Sequence, residues 1–161
     1  MYQMKQKFWS FGDNFTIKDG AGNDVFRVVG KVFSLGDKLS FQDLTGRELA
    51  YIAQKLLSFK KRYEIYRDDQ LFAEVVKEIT FFKDRYTVDI PGPNDYSVSG
   101  ELWDQEYTFI RGEREVARVS KQFFAWSDTY GIEIVDGEDD VTILATAIVI
   151  DLVNQDEHRR R

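Results

Sequence analysis

Near the C-terminus, the thirteen-residue run Val141-Thr-Ile-Leu-Ala-Thr-Ala-Ile-Val-Ile-Asp-Leu-Val153 contains ten apolar residues and leaves no polar face. As a helix it points apolar side chains in every direction, and as a strand it lines both faces with them, so either conformation requires burial on all sides. Whatever the chain folds into must therefore wrap around this segment. The acidic Glu138-Asp139-Asp140 before it and the basic tail after it match the sign of a helix dipole, which favours a helix over about 138–156. The β-branched content keeps a buried strand open as the alternative. A bilayer span needs about 20 apolar residues, and this run is shorter and interrupted by Asp151, so no transmembrane segment is expected. At ~1.5 Å per residue the run is about 20 Å long, the depth of a small barrel.

The remainder of the chain supplies strands. Alternating apolar and polar residues mark Phe15-Thr-Ile17, the turn Asp19-Gly-Ala-Gly-Asn-Asp24 and the returning Val25-Phe-Arg-Val-Val29 as a hairpin. The same alternation marks strands at Leu39–Phe41, Leu49–Ile52, Tyr63–Ile65, Leu71–Val76, Tyr86–Ile90, Tyr96–Trp103, Tyr107–Phe109, Val116–Val119 and Tyr130–Ile134. Short polar turns join them, the pattern of an up-and-down meander. Pro91-Gly-Pro-Asn94 reads as one sharp loop within it.

A weak internal repeat reinforces this. Residues 63–90 align with 107–134 at a constant shift of 44, with eight identical pairs: Tyr63/Tyr107, Arg67/Arg111, Ala73/Ala117, Val75/Val119, Lys77/Lys121, Asp84/Asp128, Tyr86/Tyr130 and Ile90/Ile134. An ungapped match through turns points to repeated supersecondary units. Phe59-Lys-Lys-Arg-Tyr63 also echoes Phe82-Lys-Asp-Arg-Tyr86 at a shift of 23, suggesting a two-strand unit used several times.

Composition narrows the function classes. A chain of 161 residues is read as a single domain over 1–161, large enough for a core without disulfides or metal. The absence of Cys excludes thiol nucleophiles and Cys-ligated metals, and with no signal-peptide pattern at Met1–Trp9 it suggests a cytoplasmic protein. A net charge of −6 argues against a nucleic-acid partner.

The residues Phe15, Thr16, Ile17, Asp19, Gly22, Val25, Phe26, Val28, Gly30, Lys31, Phe33-Ser-Leu-Gly36, Leu39, Phe41, Asp43, Gly46, Glu48 and Leu49 resemble the LURP-one-related family of the tubby C-terminal-like superfamily. The resemblance implies a mainly β fold: a closed antiparallel barrel of about twelve strands enclosing a hydrophobic C-terminal helix. Within that superfamily tubby proteins bind phosphoinositides and phospholipid scramblases act at membranes, so it also implies an anionic phospholipid, or a protein partner, met at the barrel surface. No lipid-contacting motif of those proteins maps onto numbered positions here, and the Cys-rich and Pro-rich features of scramblases are absent.

Residue chemistry offers little for catalysis. The single His158 sits in the charged tail, where it is expected to be solvated. Asp136, Glu138, Asp139 and Asp140 read as capping for a helix N-terminus before they read as an acid–base pair or calcium ligands. Trp9, Trp103 and Trp126 suit core filling or a barrel end better than ligand stacking. No catalytic residue, cofactor or metal is expected. If the turns at Phe59–Tyr63 and Phe82–Tyr86 are equivalent, a meander brings them to one end. Lys60, Lys61, Arg62, Lys83 and Arg85 then cluster, joined by Lys38 one unit earlier, as a candidate lipid-headgroup site for a protein peripheral to membranes. Solvated polar turns are the plainer reading of the same residues. The rival functions are a lipocalin-like carrier with an apolar ligand in the lumen and an unrecognised hydrolase.

Overall fold

In the computed structural model, residues 1–5, 14–31, 35–124 and 128–161 are described. The strands are β1 (Tyr2–Lys5), β2 (Asn14–Asp19), β3 (Asp24–Gly30), β4 (Lys38–Asp43), β5 (Glu48–Gln54), β6 (Arg62–Arg67), β7 (Gln70–Glu78), β8 (Arg85–Asp89), β9 (Tyr96–Glu101), β10 (Glu106–Arg111), β11 (Arg114–Ser120) and β12 (Thr129–Ile134), followed by helix α1 (Asp140–Arg159). Each strand pairs antiparallel with its neighbours in sequence, and β1 pairs with both β2 and β12, so the meander closes into a twelve-stranded barrel. The closing strand is one that alternation did not reveal. Four residues are too few to establish a period, and Tyr2-Gln-Met-Lys5 becomes a strand because two edges need a partner.

The helix lies inside. Every residue from Thr142 to Gln155 is buried, which resolves the choice between helix and buried strand in favour of the helix. The wall turns Phe41, Ile52, Tyr63, Ile65, Val88, Val98, Phe109 and Ile132 toward it, and alternate outward positions such as Lys38, Arg62 and Glu64 carry charge. This is the reverse of a membrane-spanning barrel, whose apolar band faces outward. Helix α1 is also not long and apolar enough to cross a membrane. It runs to Arg159, three residues past the expected end, because Lys61 and Lys77 on the wall form ion pairs with Asp156 and Glu157 and hold the last turn.

The repeat in the sequence is structural. The shift of 44 superposes β6, β7 and β8 on β10, β11 and β12 and matches pairs of buried residues: Tyr63/Tyr107, Ala73/Ala117, Val75/Val119 and Tyr86/Tyr130. A register slip falls at the same point of four hairpins, after Ile17, Phe41, Ile65 and Phe109. Such bulges increase twist and bend the ribbon, so a recurrent one curls the sheet uniformly toward closure. One expected boundary moves: the strand from Tyr96 ends at Glu101, and Leu102–Asp104 form a 3-10 turn. Gly100 makes that turn possible. Its φ is +139°, and a Cβ there would stand 2.5 Å from the carbonyl oxygen of Glu106.

Because Ile148 is fully enclosed, Ile148→Ala should lower the unfolding free energy by about 2–5 kcal/mol. Ile148→Asp should abolish cooperative folding, since it buries an unpaired charge. Removing residues 138–161 should do the same, because the wall then encloses nothing. Chemical denaturation followed by circular dichroism checks all three, and a truncated chain that stays monomeric and cooperative would show the helix to be dispensable.

Candidate functional site

The meander gives the barrel two chemically different ends. At the end where α1 begins lie the β2–β3, β4–β5, β6–β7, β8–β9 and β10–β11 turns, rich in acids such as Asp19, Asp43, Asp68, Asp69 and Asp95. Their carboxylates are largely used in structure. Asp19 accepts the backbone N–H groups of Ala21 and Asn23, each at 2.9 Å, and Asp43 accepts those of Thr45 and Arg47, so both are turn clasps.

Of the acids before α1 one is a cap, and Glu138 and Asp140 are taken up by side chains of the wall. Asp139 is the N-cap and accepts the Thr142 hydroxyl at 2.7 Å and the Thr142 N–H at 3.3 Å. Arg67 donates to Asp139 at 2.6 Å, and its repeat counterpart Arg111 grips Glu138 with two bonds of 2.6 and 2.5 Å. Asp140 accepts the Tyr2 hydroxyl, and desolvation with that neighbouring carboxylate pushes the phenol well above its ordinary range. Tyr96 donates to Glu138 at 3.3 Å, and burial beside that carboxylate raises its phenol to about 12. No group of three or more His or acidic residues positioned to hold a metal ion occurs among the described residues.

At the opposite end, where α1 terminates, the turns β3–β4, β5–β6 and β7–β8 stand side by side. Backbone bonds lock them. Lys31 N–H bonds to Lys38 at 2.8 Å and Lys55 N–H to Arg62 at 2.9 Å across the turn bases; Gln54 N–H bonds to Asp37 and Lys77 N–H to Lys61, both at 2.9 Å, between neighbouring strands. The six candidate headgroup residues all lie here, Lys38 opening β4, Lys60, Lys61 and Arg62 entering β6, and Lys83 and Arg85 entering β8. Most have acidic company. Lys60 pairs with Glu78 at 2.6 Å and Lys83 with Glu101 at 2.9 Å; Lys61 pairs with Asp156 and Arg62 with Glu74, and Arg85 donates to Ser97 at 3.3 Å. Neither Lys38 nor Lys55 has a carboxylate within ion-pair distance among the described residues.

The tips of these turns are apolar, a feature the sequence reading passed over. Leu57, Phe59, Phe81 and Phe82 are 94–100% exposed, with Leu35, Leu56 and Ile79 beside them. The signal was available: apolar residues inside turns, where polar ones are the rule. Trp103 lies at the same end, donating to Asp84 at 3.2 Å beneath the Arg161 guanidinium at 5.0 Å, a capping role. Trp9 and Trp126 fall outside the described residues. His158 is exposed in the last helical turn.

Inside this end lies a polar island that the sequence showed only as an interruption of the apolar run. Asp151 accepts the Tyr130 hydroxyl and, at 3.4 Å, the Gln105 amide. Burial pushes its carboxyl up to about 7, against the opposing pull of those two bonds and of Lys121. Nearby, the Tyr86 and Tyr107 hydroxyls, driven well above the usual phenol range mainly by burial, have no hydrogen-bond partner among the described residues.

Residues 1–151 match the LURP-one-related family. The chain is similar to the uncharacterized protein YxjI of Bacillus subtilis (strain 168), 40% identical over 150 residues that cover 93% of this chain and 91% of the relative. No solved structure matches.

Asp151 makes stability depend on pH with a definite sign. Its carboxyl titrates near 3.8 when unfolded and near 7 when folded, so the folded state holds a proton that the unfolded state releases in between. Its contribution is neutral below about pH 4, becomes unfavourable as pH rises to about 7, and levels off at a penalty on the order of 4 kcal/mol. Asp151→Asn should remove that slope, so the variant gains on the parent between pH 5 and 8 in urea unfolding. A parallel pH profile for the two proteins would show that Asp151 is ionised throughout.

Proposed function

This chain belongs to the LURP-one-related family, and from that fold we propose that it is a non-enzymatic binding domain, peripheral to a cytoplasmic membrane surface, that docks the α1 C-terminal end of its barrel on anionic phospholipid headgroups. The observation that carries the reading is the segregation of charge along the barrel axis: Lys38, Lys55, Lys60, Lys61, Lys83 and Arg85 gather at one end, while the opposite end is dominated by acids. A molecule of net charge −6 so arranged turns its basic end toward an anionic surface and its acidic end away.

Existing ion pairs are compatible with this role. Exposed pairs contribute about 0–1 kcal/mol, and a Lys or Arg near an anionic membrane contributes about 1 kcal/mol, so exchanging a carboxylate for a phosphate is nearly neutral and the array as a whole decides. The carrier alternative is disfavoured because, among the described residues, α1 occupies the barrel axis with side chains buried from Thr142 to Gln155. The hydrolase alternative finds no support in the acids before α1, since Glu138 is gripped by Arg111, Asp139 caps the helix and Asp140 accepts the Tyr2 hydroxyl.

Co-sedimentation with vesicles containing phosphatidylserine or phosphoinositide, and with neutral phosphatidylcholine vesicles, tests the proposal. Binding should favour anionic vesicles and weaken as salt rises. Changing Lys60, Lys83 and Arg85 together to Gln should reduce it by roughly tenfold or more, at about 1 kcal/mol per cation, without shifting thermal unfolding much. Equal recovery with neutral vesicles, or indifference to the triple change, would overturn it.

A further inference from the structure

The charge distribution does not account for the large hydrophobic side chains that stand most exposed among the described residues. Among the described residues, the large hydrophobic side chains exposed by more than half all lie at the basic end: Leu35, Leu56, Leu57, Phe59, Ile79, Phe81 and Phe82. Those exposed elsewhere, Met1, Leu44, Leu71 and Val135, range only from 41 to 48%. Isolated apolar residues on a surface need no explanation, whereas a concentration on adjacent turns marks an interaction surface.

We propose that the β5–β6 and β7–β8 turns, flanked by the β3–β4 turn, insert Leu57, Phe59, Phe81 and Phe82 into the hydrocarbon of a lipid bilayer while the lysines at their bases meet its anionic headgroups. This rests on the membrane reading above and deepens it: the partner is an intact bilayer, not a soluble phosphate. Three features favour a bilayer over another macromolecule. The apolar groups stand on separate turns whose bases are held in register by the bonds between Lys55 and Arg62 and between Lys77 and Lys61, so they project from one end together. In the β7–β8 turn the Thr80 hydroxyl bonds to the Lys83 carbonyl oxygen, which places Phe81 and Phe82 at the apex. Lys55, Lys60 and Lys83 bracket those tips in sequence, and long flexible ammonium side chains beside apolar groups suit the boundary between headgroups and acyl chains.

Insertion makes the binding partly independent of charge. The test compares the parent, the triple variant Phe59→Ser, Phe81→Ser, Phe82→Ser, and a Phe81→Trp reporter on phosphatidylcholine vesicles with and without phosphatidylserine, at low and raised salt. The substituted side chains are 94–100% exposed, so thermal unfolding should not change and loss of fold will not confuse the result. The serine variant should bind anionic vesicles roughly tenfold or more weakly. The reporter's fluorescence should shift to the blue on anionic vesicles and be quenched by lipids brominated on the acyl chain. If the parent binds and releases with salt but the serine variant binds equally and the reporter does not respond, the headgroup reading stands and insertion is overturned. Failure of the parent to bind any vesicle overturns both. A parent that is a dimer in sedimentation, made monomeric by the serine changes with vesicle binding unaltered, would assign the tips to a second copy of the chain and also overturn insertion.

Discussion

A helix without a polar face cannot rest against a flat surface, and most of this structure follows from the need to enclose one. An open sheet would leave part of α1 in water and two strand edges unpaired. Closure removes both defects, and it is completed by β1, which pairs with β2 on one side and β12 on the other. The enclosed volume is lined by wall residues such as Phe41, Tyr63, Phe109 and Tyr130 that meet Ile143 to Val153 with nothing exposed. Because apolar burial is non-directional, the wall needs only a continuous apolar lining and a radius that fits a helix. The recurrent slip after Ile17, Phe41, Ile65 and Phe109 curls the sheet at equivalent places in four hairpins.

The enclosed helix also gives the barrel a direction. Its N-terminus attracts acids, and the repeat-related Arg67 and Arg111 on β6 and β10 neutralise Asp139 and Glu138 where α1 enters. Its C-terminus is tied to the wall through Lys61 with Asp156 and Lys77 with Glu157. In an even-stranded meander alternate turns emerge at opposite ends, so whatever distinguishes alternate turns in sequence becomes a difference between the two ends in space. Here one set is acidic and internally clasped, and the other is basic with apolar tips. The two-strand repeat thus shapes the fold and also concentrates surface chemistry.

The interior is not uniformly apolar, and the exception sits close to the basic end. Asp151, held by Tyr130 and Gln105, would be simpler to replace with Leu if stability alone mattered. Its raised titration and the Tyr86 and Tyr107 hydroxyls, which find no partner among the described residues, make this the least settled part of the described core. Beyond Asp140, the opposite half of the helix is by contrast apolar apart from Thr142 and Thr146, whose hydroxyls bond locally to Asp139 and to the Thr142 carbonyl oxygen.

The sequence by itself determined the burial of residues 141–153, the alternation that makes eleven of the strands, the repeat at a shift of 44 and the capping role of Asp139, because each depends on residue type and spacing over a few positions. It also placed the basic residues of successive two-strand units at one end, since that follows from counting strands. Tertiary structure alone decided the rest. Tyr2–Lys5 has no periodicity of its own and becomes a strand only because the edges of β2 and β12 wait on either side. Glu74, Glu78, Glu101 and Asp156 come to face the basic residues only through cross-strand register or the docking of α1. The position of Phe81 inside a turn is legible locally, but that its turn stands beside the β5–β6 turn with both tips in water is decided only once the barrel has closed, because it depends on the long-range pairing of the strands.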